Sequence, residues 1–212
     1  MFRKDHLFKA GWLFFILMFP LASLLPEWTG EENGLIENLQ MLWLFGGVLC
    51  CITAHKHTFT HWSEHPYALW KAGILFFFLL IMREISWGRT FFPKPDGTFI
   101  SYSEMGLYGQ LVHPTVALII LSFIILLYRA KVWRAFQIAR FPVTSSLLLL
   151  LFIGFSWVGE RTNFFLFHGE VAEELAEFGT YMMMFYLTKD AEKRLQDKTD
   201  NKKMKTELAT DC

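Results

Sequence analysis

The chain has 212 residues, 53% of them hydrophobic, including 23 Phe and 8 Trp. Lys and Arg total 20 against 20 Asp and Glu, so the formal net charge is zero and no basic surface for nucleic acid is implied. Mean hydropathy is positive at +0.31, and an apolar share this large, gathered into long runs, excludes an ordinary soluble domain.

A bilayer core of about 30 Å takes about 20 mostly apolar helical residues. Six runs meet or approach that length: 7–25, 34–53, 67–87, 112–128, 142–158 and 170–188. The sequence therefore predicts an all-α, polytopic membrane protein, a bundle of six transmembrane helices over residues 1–188. A charged tail over 189–212 is expected either to extend the last helix or to stay disordered. The basic start and apolar run at the N-terminus have no small-residue cleavage site, so they read as a retained first helix. Pro20 is expected to kink that helix. Pro114 and Pro142 fit the first turns of the fourth and fifth helices, which puts His113 at a helix cap. Cys50 and Cys51 sit inside an apolar run and read as small hydrophobes, and with Cys212 they form no CxxC.

Six spans put both termini on one side. That side collects Arg3, Lys4, Lys9, Lys56 and the cluster Arg129, Lys131, Arg134 and Arg140, while Glu27, Glu31, Glu32 and Glu37 lie opposite. An excess of Lys and Arg marks the cytoplasmic face, so both termini are expected to be cytoplasmic. Trp28, Trp87 and Trp157 would mark the outer interface, and Trp62, Trp70 and Trp133 the inner one.

Two runs are too short to be plain spans. In the third, 11 residues separate Lys71 from Arg83-Glu84; at 1.5 Å per residue they cover only about 18 Å. Even with Lys71 snorkelling inward, Arg83 and Glu84 fall below the outer interface. In the sixth, only 11 residues lie between Glu177 and Lys189. Glu170, Glu173, Glu174 and Glu177 are spaced i, i+3, i+4 and i+7, so they share one helix face, and Tyr181 extends it by a turn. Carboxylates facing lipid would cost several kcal/mol each, so this face must meet other helices or a cavity. The dipole of the first turn is a sufficient account of Glu170 and Glu173, less so of the deeper pair.

Glu37, Asn38 and Gln40 on the second helix, His113 on the fourth, Ser156 and Glu160 on the fifth, and His168 before the sixth stand at the same level. The inner halves of the helices are mostly Leu, Ile and Phe. The pattern predicts a polar cavity opening outward above an apolar floor. His55, His57, His61 and His65 include H-x-x-x-H spacings that could share a metal on a helix, but they read as a solvated loop on the cytoplasmic side.

The segment Glu84-Ile85-Ser86-Trp87-Gly88-Arg89 resembles an E-I-S-W-G-Q/R type motif of a group of bacterial polytopic inner-membrane proteins of unassigned activity. The acid-rich opening of a later helix, here Glu170-Val171-Ala172-Glu173-Glu174, is similar as well. The resemblance implies a bacterial inner membrane and a shared polar site, and no reaction.

Three functions fit these residues. The first is a membrane enzyme, such as a hydrolase, whose site faces the periplasm or outer leaflet and takes a lipid or lipid-linked substrate. Glu84, Glu174, Glu177, Arg83 and His113 would be its catalytic residues. Arg89, Trp87, Asn38, Gln40 and Tyr181 would bind substrate. A divalent metal ion would be held by some of Glu37, Glu84, Glu160, His168, Glu174 and Glu177. The second is a proton- or cation-coupled transporter, or a subunit of one, using the same carboxylates. The third is a membrane scaffold or assembly factor. The expected partners are the bilayer, a lipid and further copies of the chain. Neither a G-x-S-x-G nucleophile, an H-E-x-x-H zinc helix nor paired E-x-x-H repeats occur.

Overall fold

Helices carry the chain almost throughout. In the computed structural model, which describes residues 4–31, 34–59, 64–95, 98–133, 142–161 and 169–210, the long helices are α1 (Lys4–Leu24), α2 (Leu35–Phe59), α3 (Glu64–Glu84), α4 (Gly106–Arg129), α5 (Val143–Arg161) and α6 (Gly169–Thr210). Short 3-10 turns cover Glu27–Thr29 and Ser86–Phe91. No strand forms among the described residues, and an isolated backbone bridge joins Pro93 to Phe99. The fold is all-α. Two stretches, Leu35–Lys56 of α2 and Gly106–Arg129 of α4, are long and apolar enough to cross a membrane by length and composition. Phe8–Leu24 and Val143–Gly159 are shorter apolar stretches.

The packing is organised around α6, whose principal neighbours are α1, α2 and α5; α2 also packs on α3, and α3 on α4. Two cores result. Between α1, α5 and α6, Met18, Leu148, Phe152, Leu175 and Met183 are buried. Phe15 meets the rings of Phe152 and Phe155 at centroid distances of 5.2 and 5.3 Å. Edge-on aromatic contacts at such distances add attraction beyond area burial. The second core joins Leu44, Cys51, Ala54, Trp70, Phe77, Ile81, Tyr181 and Leu195 across α2, α3 and α6. Close approach needs small residues, as helix contacts in a membrane generally do. A Cβ at Gly179 would run into the Phe152 ring.

Three boundaries differ from the sequence expectation. α3 ends at Glu84, not at Trp87, because Ser86, Trp87 and Gly88 have φ of 44°, 52° and 86°. A right-handed helix cannot continue through left-handed residues. α4 begins at Gly106, whose φ is 60°, and not near Val112. His113 is therefore about two turns inside the helix and is no cap, and Pro114 is internal. α2 runs on to Phe59, so His55 and His57 belong to a helix rather than a loop. The side chains of His57 and His65, and all of His61, lie outside the described residues. α6 continues through 188 and 189 without a break.

Candidate functional site

The i, i+3, i+4, i+7 spacing of acids on α6 sorts them by depth. Glu170, in the first turn, is exposed, and Glu173 and Glu174 are half-buried. The Glu177 side chain is 12% exposed, and Tyr181 is almost fully buried. α6 lies against α2 on one side and α5 on another, so its deeper acids meet both helices and the end of α3.

The C-terminal end of α3 supplies the cation. Arg83 Nη2 reaches Glu177 Oε1 at 2.5 Å, and its Nε lies 3.6 Å from Glu84 Oε1. The Tyr181 hydroxyl donates to the same Glu84 Oε1 at 2.6 Å, within the range of short charge-assisted bonds. Ser156 of α5 donates its hydroxyl to Glu177 Oε1 at 3.3 Å. From α2, Gln40 Nε2 donates to Glu174 Oε2 at 2.7 Å and to the Glu174 carbonyl oxygen at 3.0 Å. Gln40 is fully buried, and its Oε1 has no hydrogen-bond partner among the described residues. The Glu174 carbonyl fixes the amide orientation, because it must face the donating nitrogen. Four helices thus converge on three carboxylates, one guanidinium, one phenol and one amide.

α4 packs on α3, and α5 on α6 and α1; among the described residues α4 and α5 are not principal neighbours. Arg83 of α3 and Ser156 of α5 reach Glu177 of α6 from different helices. The Arg83 side chain stays 59% exposed there, and a Cβ on Gly154 of α5 would meet open space.

The motif that follows Arg83 is a left-handed elbow. Ser86 and Trp87 carry Cβ atoms at positive φ, a conformation costing roughly 1–2 kcal/mol per residue. Such strain persists only where neighbours over-determine it. Here the Tyr108 hydroxyl donates to the Trp87 carbonyl at 2.7 Å and the Tyr102 hydroxyl to the Ser86 carbonyl at 3.2 Å. The Gly88 amide closes back on the Ile85 carbonyl at 2.7 Å. Arg89 donates Nε to the Ile100 carbonyl at 2.8 Å and lies 5.1 Å from the centre of the Tyr102 ring. The elbow turns the chain out of α3 immediately after the two charged residues and so holds them at the helix end.

No protein-family model, curated protein or solved structure matches the chain. Its chemistry has to be read from its own side chains.

Of the residues expected at the site, Arg83, Glu84, Gln40, Glu174, Glu177 and Tyr181 come together. Glu37 is half-buried one turn before Gln40. Asn38 is exposed and donates to the Gly34 carbonyl at 2.8 Å, tying down the start of its own helix. Arg89 and Trp87 belong to the elbow. His113 is exposed on α4 with its ring 5.5 Å from that of Tyr102. The Glu160 side chain and all of His168 lie outside the described residues. Among the described residues no three His, Cys, Asp or Glu side chains are grouped so as to hold a metal ion. Glu84, Glu174 and Glu177 instead bond to different donors.

A second polar group, which the sequence reading passed over, lies at the other end of the α2–α6 contact. Cys50 Sγ is 3.5 Å from Glu192 Oε2, which also takes Lys189 Nζ at 3.0 Å. Arg194 Nε meets Asp190 Oδ2 at 2.5 Å, and the Asp190 side chain is 2% exposed. The signal available in sequence was the i, i+3 and i, i+4 charge spacing in 189–194.

Proposed function

We propose that this is a multi-pass protein of a bacterial inner membrane with six spans and both termini cytoplasmic. It acts as a membrane-embedded enzyme on a lipid or lipid-linked substrate, at the level of the outer leaflet. The observation that carries the reading is Arg83: a guanidinium paired with Glu177 and adjoining Glu84, yet more than half exposed at the end of α3. A cation in that position is suited to an anionic head group arriving sideways from the bilayer.

Acid–base work falls to Glu84, oriented by the Tyr181 hydroxyl, and to Glu177, bridged by Arg83 and Ser156. The cluster holds more carboxylates than cations, so taking up and releasing a proton is within its chemistry. Glu174 and Gln40 brace the far side. The elbow at 86–88 keeps Arg83 and Glu84 in register with α6.

The transport reading draws on the second polar group, since Cys50, Lys189, Asp190, Glu192 and Arg194 supply polar atoms at the inner end of the same helix pair. The buried Leu44 of α2 and Phe77 of α3, both in the second core, fall between the two groups along their helices and favour the enzyme reading instead.

The test is turnover of lipid extracts by the purified, reconstituted protein, followed by mass spectrometry. Glu84→Gln and Arg83→Gln should each lower the rate by about 10²–10⁴-fold. Turnover unaffected by both substitutions would sink the reading, and proton flux abolished by Glu177→Gln would favour transport.

A further inference from the structure

Beyond the acid cluster, α3, the elbow and the start of α4 border a half-open pocket of about 570 Å³. That lies within the range of about 300–1,000 Å³ common for small-ligand sites. Met82 and Ile85 of α3, Phe91 and Phe92 at the end of the elbow, and Ile100 and Met105 form its apolar walls. The strained residue pair before Gly88 has a use here: the turn swings Phe91 and Phe92 round to face the α3 side chains.

Two polar side chains also touch the cavity, and both are already satisfied. Tyr108 spends its hydroxyl on the Trp87 carbonyl. Glu104 receives Lys94 Nζ at 2.9 Å and the Ser101 amide and hydroxyl at 2.7 and 2.8 Å. An occupant is therefore asked for no hydrogen bond, and the apolar lining favours an apolar one. The Lys94–Glu104 pair is partly exposed, at 36% and 48%, so this end faces water or head groups. α4, whose start borders the pocket, is one of the two helices long and apolar enough to span, and its Leu107 and Leu111 are exposed. The two methionines, flexible and polarizable, suit a chain of variable shape.

We propose that this cavity is a lipid-chain site, taking one hydrocarbon chain of a bilayer phospholipid whose head group rests at the Lys94–Glu104 pair. The assignment rests on the membrane placement proposed above and is independent of the acid–base chemistry.

The experiment uses the full chain in vesicles of phosphatidylethanolamine and phosphatidylglycerol, doped with a phosphatidylethanolamine bearing a diazirine on one chain. After irradiation, peptide mapping should find Phe91, Phe92 and Met105 labelled above Leu121 and Ile124, which are exposed on α4 and report ordinary lipid contact. Met105→Trp fills the cavity and should cut pocket labelling about tenfold, equivalent to about 1.4 kcal/mol, with Leu121 unchanged. Phe92→Ala enlarges it and should raise labelling at Met105, which covers the case in which the Trp variant misfolds. Pocket labelling no greater than that of Leu121, or unmoved by both variants, overturns the proposal. Glu84→Gln should label normally. Turnover lost with labelling intact bears on the chemistry alone, and labelling absent with turnover intact refutes the pocket alone.

Discussion

Removing the Tyr181 hydroxyl probes the acid cluster where it is driest. Tyr181 is 2% exposed, the Glu84 side chain is 6% exposed, and 2.6 Å separates the phenol oxygen from the carboxylate. Hydrogen bonds to charged groups are worth about 1.5–3 kcal/mol in soluble proteins. Within membranes the measured pairwise couplings average about 0.6 kcal/mol and reach about 1.7, because the unfolded helices find other partners. The geometry decides between these ranges. The next cation contact of Glu84, Arg83 Nε, is 3.6 Å away, beyond hydrogen-bond length, so among the described residues no other hydrogen-bond donor makes good the loss. A coupling near the upper membrane limit follows, about 1.5 kcal/mol, or roughly tenfold in the unfolding constant. The assay is a double-mutant cycle of Tyr181→Phe and Glu84→Leu, read as unfolding in bicelles. Additivity of the two changes within about 0.5 kcal/mol would refute the reasoning, since uncoupled sites add to that tolerance.

Gly179→Leu should lower stability by about 1–3 kcal/mol through collision with Phe152, and Phe152→Ala in the same chain should restore part of it in a thermal melt. Gly88→Ala places a Cβ at a φ of 86° and should cost about 1–2 kcal/mol, with faster proteolysis at the elbow as the readout. Glu104 lies outside the spans, and its bonds from Lys94 and then from Ser101 hold its carboxyl down at about 2 from an ordinary 4.5. A lowered folded value means the contacts contribute in full above about 4.5 and fade as pH falls toward 2. The protection factor of the Ser101 amide, which removes the intrinsic pH dependence of exchange, should fall as pH drops through that window and stay level above it.

The i, i+3, i+4, i+7 face of α6 and the apolar shortfall around Arg83 and Glu84 could both be counted in the sequence, because each depends on spacing along one helix. Partner choice depends on which helices become neighbours. Nothing local says that Gln40 donates to Glu174, 134 residues away, or that Ser156 and Arg83 share Glu177. The same limit hid the second polar group, where Cys50 reads as a hydrophobe until α6 brings Glu192 beside it. The boundary errors have another cause. Apolar counting placed the start of the fourth helix near Val112, whereas the backbone begins it at Gly106, where a left-handed glycine turns the chain. The motif at 84–89 was legible as a motif, but not as a strained turn held by Tyr102 and Tyr108 from beyond it.

α6 is a single rod of 42 residues, about 63 Å long and roughly twice the thickness of a bilayer core. About a point near Thr188, Glu177 lies 11 residues to one side and Thr210 22 to the other, arms of about 17 and 33 Å. A sideways swing of the far end would return at Glu177 at about half the amplitude and in the opposite sense. The helix runs unbroken from Gly169 to Thr210, so its distal third and the residue that meets Arg83 belong to one continuous rod.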